Sequence, residues 1–250
     1  MDCEKILFKI QHFIQEKIAN SNANGVILGL SGGIDSALVA TLCKKALKDG
    51  AFALLMPTKH SSKTNLQDAL KLCETLNLNY KIINIDDILQ AFLKEFEGAD
   101  KIRTGNCTAR IRMNLLYDYS ALKNYLVVGT SNKSELMLGY GTIYGDLAYA
   151  FNPIGGLYKS EIYTLAKYLN LDEVFLKKVP SADLWENQSD EEDLGFSYAL
   201  IDEGLKALEK NDEATIAKLN PDLILMLQQR IKKNAFKREM PQILRLDEFL

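Results

Sequence analysis

The first half of the chain alternates between short apolar runs and longer stretches in which apolar side chains recur at helical spacing. The apolar runs predict four strands, at residues 25–30, 51–56, 80–85 and 125–129. The helical spacing predicts helices at 1–17, 35–48, 64–76, 87–96 and 108–122, and another from residue 133. Because strands and helices alternate in this way, right-handed crossovers would build an open parallel sheet with helices on both faces.

The second half of the chain has a mainly helical pattern. It predicts helices at 160–169, 194–208 and 221–233, the last with a proline suited to its first turn. Two stretches without a clear period, 139–156 and 180–193, are candidate active-site loops. We therefore expect an α/β fold with a helical C-terminal part, in a single domain over residues 1–250. Ligands of such folds bind beyond the carboxyl ends of the strands.

The composition is that of an ordinary globular protein. The 250 residues are 47% hydrophobic and 25% charged, so a sizeable core needs no disulfide or structural metal. The net charge of −3 disfavours a strongly basic nucleic-acid binder. The sequence contains no stretch that resembles a signal peptide or a membrane span, and a cytoplasmic protein is the expectation.

The cysteines and histidines do not indicate a zinc site or a Cys/His catalytic pair. They are spread along the chain as Cys3, Cys43, Cys73, Cys107, His12 and His60. None forms the closely spaced pairs that zinc sites use. Cys43 and Cys73 are in phase with apolar helix positions and are interpreted as small core residues, whereas His12 lies off the apolar face of its helix.

The clearest chemical signal is the segment Ser31-Gly32-Gly33-Ile34-Asp35-Ser36, between the first predicted strand and its helix. Two glycines permit a tight turn that exposes successive N–H groups, and a helix N-terminus behind them favours an anion such as phosphate. Asp35 would repel a phosphate unless it held Mg²⁺, which prefers carboxylate and phosphate oxygens. The segment lacks the lysine of a Walker A loop and the third glycine of the dinucleotide fingerprint. The alternative is a plain Gly-Gly turn followed by helix-capping residues.

This segment resembles the signature of the ATP pyrophosphatase superfamily, whose members cleave ATP between its α and β phosphates and adenylate a substrate. Further motifs, most of them in the second half, resemble one of its families, the NAD synthetases. They are Gly105–Met113, Gly129–Glu135, Gly139–Asp146, Asn152–Ile154, Leu157–Lys159, Pro180–Leu184 and Asn234–Arg238. The resemblance covers about Ile10 to Pro241 and implies an adenine nucleotide α-hydrolase-like fold.

The resemblance also implies roles for individual residues. The ATP phosphates would bind Gly29, Leu30, Ser31, Gly32, Gly33, Ile34, Asp35 and Ser36. Further contacts would be made to ATP by Thr130, Lys159 and Ser181, and to deamido-NAD by Arg110. Asp35 and Glu135 would ligate Mg²⁺, Lys159 would supply positive charge where pyrophosphate forms, and Asp146 would lie near incoming ammonia.

Each of these residues also has a simpler interpretation when it is taken alone. Glu135 and Lys159 could be ordinary residues near helix starts, Arg110 could be a surface charge, and Asp146 could cap a turn.

Two positions depart from the family pattern. Many ammonia-using members carry lysine where Ile143 stands and histidine where Phe236 stands. These departures concern contacts to deamido-NAD and leave the predicted ATP site unaffected.

The reaction implied by the resemblance is the amidation of deamido-NAD to NAD through an adenylated intermediate, with release of AMP and pyrophosphate. Glutamine-using relatives carry an additional N-terminal domain, and only about two dozen residues precede the first predicted strand here. Free ammonia, or ammonia from a separate partner, is therefore the expected nitrogen donor. A tRNA thiolase, a GMP synthetase and a nucleotide-sensing binding protein are the alternatives. A thiolase would be expected to show a Cys-x-x-Cys pair or a basic surface.

Two further expectations concern assembly and dynamics. The family resemblance implies a homodimer, and the 108–122 helix carries more apolar surface than one sheet face requires, at Ile111, Leu115, Leu116, Tyr119 and Leu122. The alternative is that C-terminal helices of the same chain cover these side chains.

The loops 139–156 and 181–193 are expected to be mobile without ligand and to close over bound nucleotides, with Trp185 as a fluorescent probe.

Overall fold

The computed structural model describes residues 1–181 and 188–244. Its sheet contains the strands β1 (Gly25–Gly29), β2 (Ala51–Leu55), β3 (Asn79–Ile82) and β4 (Tyr125–Val127). The α-helices are α1 (Cys3–Ser21), α2 (Ile34–Leu47), α3 (Lys63–Leu76), α4 (Asp86–Lys94), α5 (Lys101–Lys123), α6 (Lys133–Leu138), α7 (Lys159–Tyr168), α8 (Glu173–Lys177), α9 (Asp190–Leu194), α10 (Tyr198–Lys210), α11 (Glu213–Ile216) and α12 (Pro221–Lys233). Short 3₁₀ helices cover Lys48–Gly50 and Ala235–Arg238.

The four strands pair in parallel in the order β3-β2-β1-β4. The chain leaves β1 toward β2 on one side and returns after β3 to place β4 on the other side. The strand order therefore reverses between β1 and β4, which is the switch point at which such sheets bind ligands. The predicted α/β fold with an open parallel sheet is confirmed.

The sheet has a helical layer on each face, as its strand pattern requires. Val26 and Leu28 point to one face and pack in the core that α1, α2, α3 and α7 cover, whereas Ile27 points to the other face. On that second face, Ile111 of α5 and Leu89 of α4 complete a smaller core with Ile27. A third cluster joins α6, α10 and α12. Among the described residues, no helix is long and apolar enough to span a bilayer.

Two predicted helices begin several residues from the predicted start, for local reasons. The helix expected at 108–122 begins at Lys101 instead, because the Asp100 side chain accepts a hydrogen bond of 2.7 Å from the Arg103 N–H and caps the start. The helix expected at 194–208 begins at Tyr198 instead, as α10, because Gly195 has a φ of +78° and ends the preceding helix α9 at Leu194.

The two stretches predicted to lack regular structure differ in outcome. Residues 139–156 contain no helix or ladder strand, as predicted, although Phe151 forms an isolated bridge to Val128. The stretch 180–193 was predicted wrongly at its end, since α9 begins at Asp190. The Ser189 side chain accepts a hydrogen bond from the Glu192 N–H at 3.4 Å and caps this short helix. Residues 182–187, with Asp183, Trp185 and Glu186, lie outside the described residues.

The cysteines and histidines agree with the sequence interpretation in their surroundings. Cys43 of α2 and Cys73 of α3 are fully buried in the core, and burial raises the pKa of each thiol to about 12. The His12 side chain is 68% exposed.

Candidate active site

The predicted anion loop lies at the switch point, between β1 and α2. Gly32 has a φ of +84°, and a Cβ atom at this position would lie 2.1 Å from the Asn65 carbonyl oxygen of α3. Glycine is therefore required by the backbone conformation and by the close approach of α3. The N-cap of α2 is Gly33, which has no side chain to occupy the N-terminal N–H groups of the helix. These groups remain suited to an anion.

The two serines of the loop fix its shape through hydrogen bonds to each other and to the backbone. The hydroxyl oxygens of Ser31 and Ser36 are 3.0 Å apart. Ser36 also donates to the Gly33 carbonyl at 3.1 Å, and Ser31 accepts from the Gly33 N–H at 3.3 Å. The loop is thus preorganised around a turn of backbone amides, which is the arrangement that holds phosphates.

Asp35, Lys159 and Glu135 meet beside this loop, although 124 residues separate the first two in the chain. The Lys159 ammonium donates to Asp35 Oδ2 and lies 3.6 Å from Glu135 Oε1. Lys159 is only 2% exposed. Asn132 joins the two acids, because its side-chain amide donates to Asp35 at 3.1 Å and to Glu135 at 2.7 Å. The structure therefore brings together three of the five charged residues that the resemblance singled out.

The charges in this cluster do not balance. Burial and repulsion by Asp35 raise the pKa of Glu135 to about 8, although Lys159 acts in the opposite direction. Burial disfavours the Lys159 ammonium, but attraction by Asp35 and Glu135 outweighs it and raises the pKa of Lys159. Asp190, a third acid that is 3% exposed, also interacts with this group. One buried lysine thus faces three acidic side chains, and their charges favour the binding of a further cation.

A second set of contacts fixes the starts of α7 and α6, the helices that carry Lys159 and Glu135. The Asp202 carboxylate of α10 accepts from the Ser134 hydroxyl and from the Ser160 N–H, the latter at 2.7 Å. The Ser134 hydroxyl in turn accepts from the Lys159 N–H at 3.0 Å. Ser134 and Asp202 are both buried. The start of α7 is therefore locked to α6, and the charged ends of Lys159 and Glu135 are held in one place.

Most of the remaining predicted residues line one cavity of about 660 Å³. Its wall contains the predicted residues Gly29, Leu30, Ser31, Gly33, Ile34, Asp35, Ser36, Thr130, Glu135, Asp146, Lys159 and Ser181. Apolar side chains from the carboxyl ends of the strands and from α5 form another part of the wall, among them Met56 and Leu116. A mainly apolar cavity with a few convergent charged groups is typical of a nucleotide site.

Asp146 and Arg110 are placed differently from the other predicted residues. Asp146 lines the cavity and also caps a turn, since its Oδ1 accepts from the Thr142 N–H at 2.8 Å. Asp146 is exposed to solvent. The many protein atoms packed around its carboxyl group nevertheless reduce its solvation and raise its pKa. Arg110 is exposed, is not part of the cavity wall, and donates to the Ile143 carbonyl at 3.3 Å.

The sequence analysis missed several residues of this site. Asn132 had a visible signal, since Asn132 and Glu135 are spaced as a capping box and the structure forms that box. Asp190 had no such signal because it lies in the stretch that was predicted to be irregular. The Asp190 carboxylate accepts hydrogen bonds from Tyr140 and Tyr198, at 3.2 and 3.3 Å, and thereby closes the cavity on the side of α9.

The parallel sheet with an anion loop and a buried charged cluster at its switch point defines a nucleotide-binding α/β enzyme. The family model described as NAD synthase matches residues 6–241. The chain is 70% identical over 246 residues to an NH3-dependent NAD+ synthetase of Campylobacter jejuni subsp. doylei, covering 98% of this chain and 100% of that protein. It therefore belongs to the NAD synthase family, whose members are ligases.

Solved structures agree with this assignment. An NH3-dependent NAD synthetase from Campylobacter jejuni, in complex with the nitrate ion, superposes with a TM-score of 0.88 at 64% identity over 98% of this chain and 100% of that one. An NMN synthetase from Francisella tularensis superposes with a TM-score of 0.89 at 32% identity over 98% and 99% of the two chains.

Proposed function

We propose that this protein converts deamido-NAD, ATP and ammonia to NAD, AMP and pyrophosphate. The observation that carries the proposal is the convergence of Asp35, Glu135 and Lys159 beside a preformed anion loop, in a cavity of about 660 Å³. ATP would place its phosphates on the loop. The nicotinate carboxylate would attack the α-phosphorus to release pyrophosphate, and ammonia would then attack the activated carbonyl and release AMP.

The contribution of the protein to this reaction is positioning and charge neutralisation. The loop amides hold the phosphates in place, while the buried Lys159 ammonium stabilises the negative charge that develops as pyrophosphate separates. Neither step requires a covalent nucleophile of the protein. Holding the carboxylate in line with the α-phosphorus replaces a bimolecular encounter by a reaction within one complex.

Mg²⁺ fits the chemistry of the charged cluster. Mg²⁺ commonly binds one or two carboxylates together with phosphate oxygens and water. Asp35 and Glu135 provide two such carboxylates next to the loop, and burial together with repulsion by Asp35 raises the pKa of Glu135, so a cation there would favour its charged form. The described residues contain no cluster of three or more acidic, histidine or cysteine ligands, so the protein alone offers no complete cage. When bound, Mg²⁺ would neutralise phosphate charge.

We further assign Asp146 as the group that accepts a proton from the incoming nitrogen. Ammonium must lose a proton before its nitrogen can attack, and the Asp146 carboxylate lines the cavity with a pKa above its ordinary value. Arg110 would contact a part of deamido-NAD that extends out of the cavity, because this arginine is exposed outside the wall beside Ile143.

The test of the proposed function is a product assay on the whole protein. With ATP, Mg²⁺, deamido-NAD and ammonium, we expect NAD, AMP and pyrophosphate in equal amounts. Nicotinate mononucleotide is the comparison substrate, since a structural relative is named an NMN synthetase. A clear preference for the mononucleotide would replace the substrate in this proposal. Nucleotide binding without any product would instead indicate a nucleotide-sensing protein.

Turnover is expected to depend on ammonium and to rise with pH. Only neutral ammonia has the lone pair that attacks the carbonyl, and its share of the total rises with pH. The rate at a fixed low total ammonium concentration should therefore increase from pH 7 to pH 8.5. Efficient use of glutamine by the purified protein alone would contradict this prediction.

We also propose a homodimer, but with a different apolar surface from the one that the sequence predicted. Ile111, Leu115, Leu116 and Tyr119 pack against the sheet and α4, so only Leu122 of the predicted set is strongly exposed, at 74%. The exposed apolar side chains on this side of the sheet include Ile88 and Phe92 of α4 and Ile102 and Leu122 of α5, whereas Tyr80 and Ile82 of the edge strand β3 point to the other face with Ala53 and Leu55. An exposed apolar surface of this kind on two neighbouring helices favours a partner.

Light scattering at micromolar concentration should give the mass of a dimer. Phe92→Asp should shift the mass toward the monomer, because it places a charge among exposed apolar side chains of α4. Phe8→Asp is the matched control, since Phe8 is also exposed but lies on α1, on the other side of the sheet. A wild-type monomer, or equal dissociation by both variants, would contradict the proposal.

The loops around the cavity are expected to close over bound nucleotides, since an acyl-adenylate must be protected from water. Hydrogen exchange in residues 139–156 and 188–193 should slow when ATP and deamido-NAD are both present. The predicted fluorescence probe, Trp185, lies outside the described residues. Exchange that is already slow without ligand and does not change on binding would show that the loops are fixed.

Two predictions from the sequence remain proposals. We propose that residues 1–250 act as a single synthetase domain that uses ammonia directly. We also propose a cytoplasmic location, because all four cysteines are free thiols, as is usual in a reducing compartment.

A further inference from the structure

Lys178 is a partly buried cation beside the anion loop, on the wall of the cavity, that the proposed reaction does not yet use. It follows α8 directly, and its ammonium donates to the Gly32 carbonyl at 2.8 Å. The same ammonium lies 2.6 Å from Asp68 Oδ2 of α3. The two side chains are 20% and 14% exposed. Asp68 Oδ2 is itself buried and the contact lacks the geometry of a directed hydrogen bond, so charge attraction holds this pair.

The contact with Gly32 determines the orientation of one peptide group in the loop. The Gly32 carbonyl and the Gly33 N–H belong to the same planar trans peptide and point in opposite directions. Because Lys178 holds the carbonyl on the α3 side, the Gly33 N–H points away from it, toward the Ser31 hydroxyl. Ser31 and Gly33 both line the cavity. The orientation that Lys178 selects therefore keeps this N–H on the side of the loop where Ser31 and Gly33 line the cavity.

A peptide between two glycines has little conformational preference of its own. Rotating it by half a turn would change φ of Gly33 from −87° to a positive value, which glycine accepts without a steric penalty. The rotated peptide would present a carbonyl oxygen to the cavity, and that oxygen would repel a phosphate. The glycines that permit the tight turn thus also permit a form that cannot bind ATP.

We propose that Lys178 is a positioning residue that holds the Gly32–Gly33 peptide in its phosphate-binding orientation, with Asp68 holding the lysine. This inference rests on the proposed ATP-dependent reaction and adds a residue to its ATP site. Although Lys178 also lines the cavity, its ammonium is held by the Gly32 carbonyl and by Asp68, so it acts through the backbone and not through contact with the reacting atoms. Its loss should weaken the binding of ATP and of pyrophosphate, which use the loop, and leave the affinity for deamido-NAD unchanged.

The test compares Lys178→Met with Lys177→Met. Lys177 is the neighbouring residue, is 75% exposed and pairs only with Glu173 of its own helix among the described residues. ATP affinity is measured by calorimetry, and the KM of each substrate and inhibition by pyrophosphate are measured by kinetics. Lys178→Met should weaken ATP and pyrophosphate binding by about tenfold or more, as loss of a charged hydrogen bond implies. Lys177→Met should have no effect, and Lys178→Arg should restore most of the affinity.

A second comparison tests the peptide orientation itself. A Cβ atom at Gly33 would meet only the Ser31 hydroxyl, at 3.5 Å, so Gly33→Ala fits the observed loop but disfavours the rotated peptide. Lys178→Met should therefore weaken ATP binding less in the Gly33→Ala background than in the wild-type background. Equal losses in the two backgrounds would overturn the orientation mechanism.

Stability and function are separated by one more variant. Lys178→Met leaves Asp68 buried without its cation, so the double variant Lys178→Met/Asp68→Asn repeats the measurement with both charges removed. ATP affinity within twofold of the wild type in either folded variant would overturn the proposal, even if the melting temperature fell. Failure of the proposed reaction is seen separately, because the wild-type protein would then form no NAD.

Discussion

Replacing Asp35 with asparagine is expected to lower kcat by at least about 100-fold and to leave the protein folded. The asparagine side chain has the same shape and keeps an oxygen that can accept from Asn132 or Lys159. It has no negative charge, however, and so cannot neutralise Mg²⁺ as a carboxylate does. The rate of pyrophosphate release and the circular dichroism spectrum, measured on the same preparation, test both parts of the prediction.

Asp49→Asn is the matched control for this change. Asp49 lies just beyond the other end of α2, its side chain is 88% exposed, and it pairs only with Lys44 among the described residues. This variant should retain wild-type turnover. Near-normal activity of folded Asp35→Asn, at saturating ATP and Mg²⁺, would remove the metal role from Asp35.

Replacing Lys159 with methionine should have an effect of similar size, at least about 100-fold on kcat. Methionine fills much of the volume of the lysine stem but cannot donate to Asp35 or stabilise the charge of the departing pyrophosphate. The change also leaves Asp35 and Glu135 without their buried cation, so we expect a lower melting temperature as well. Added Mg²⁺ should raise that melting temperature more in the variant than in the wild type, because the metal would supply the missing charge.

Lys167→Met provides the comparison for this second variant. Lys167 is exposed and lies at the other end of α7, so the same substitution changes neither the charged cluster nor the cavity wall. Its turnover and melting temperature should match those of the wild type. If Lys159→Met formed NAD in a single turnover with the rate constant of the wild type, the lysine would have a structural role only.

The sequence predicted the positions of the loop after β1 and of Asp35 and Glu135 because these features are local, and their ligand roles stay predictions. A strand followed by Ser-Gly-Gly-Ile-Asp-Ser determines the turn, the helix start and the direction of Asp35. Glu135 follows the fourth strand in the same way. Since parallel strands end at one edge of the sheet, residues that follow β1 and β4 must lie near each other. Lys159 could be assigned to this place only through the family resemblance.

What the sequence could not predict depends on contacts between distant segments. Asp190 is the first residue of α9, and the hydroxyls of Tyr140 and Tyr198 hold its carboxylate at the site. No periodicity in the stretch 180–193 indicated that helix. The role of Asp202 is equally non-local, since it joins the starts of α6 and α7 from α10. Buried polar networks of this kind leave little trace in a hydrophobic pattern.

The apolar surface of α5 shows why the exposure of a helix is hard to predict from its sequence. Ile111 and Leu115 pack on the second face of the sheet, whereas Leu122, in the last turn of α5, remains exposed. The sequence identifies which positions are apolar but not which of them the sheet covers.

The most direct test of adenylation follows the oxygen atoms of deamido-NAD. With ¹⁸O in both carboxylate oxygens, attack on the α-phosphorus and later expulsion of AMP would transfer one labelled oxygen to AMP. The other labelled oxygen would remain in the amide of NAD. Mass spectrometry should therefore find one ¹⁸O in AMP and one in NAD for each turnover. Unlabelled AMP, or ADP and phosphate as the products, would contradict the adenylated intermediate and with it the proposed use of this site.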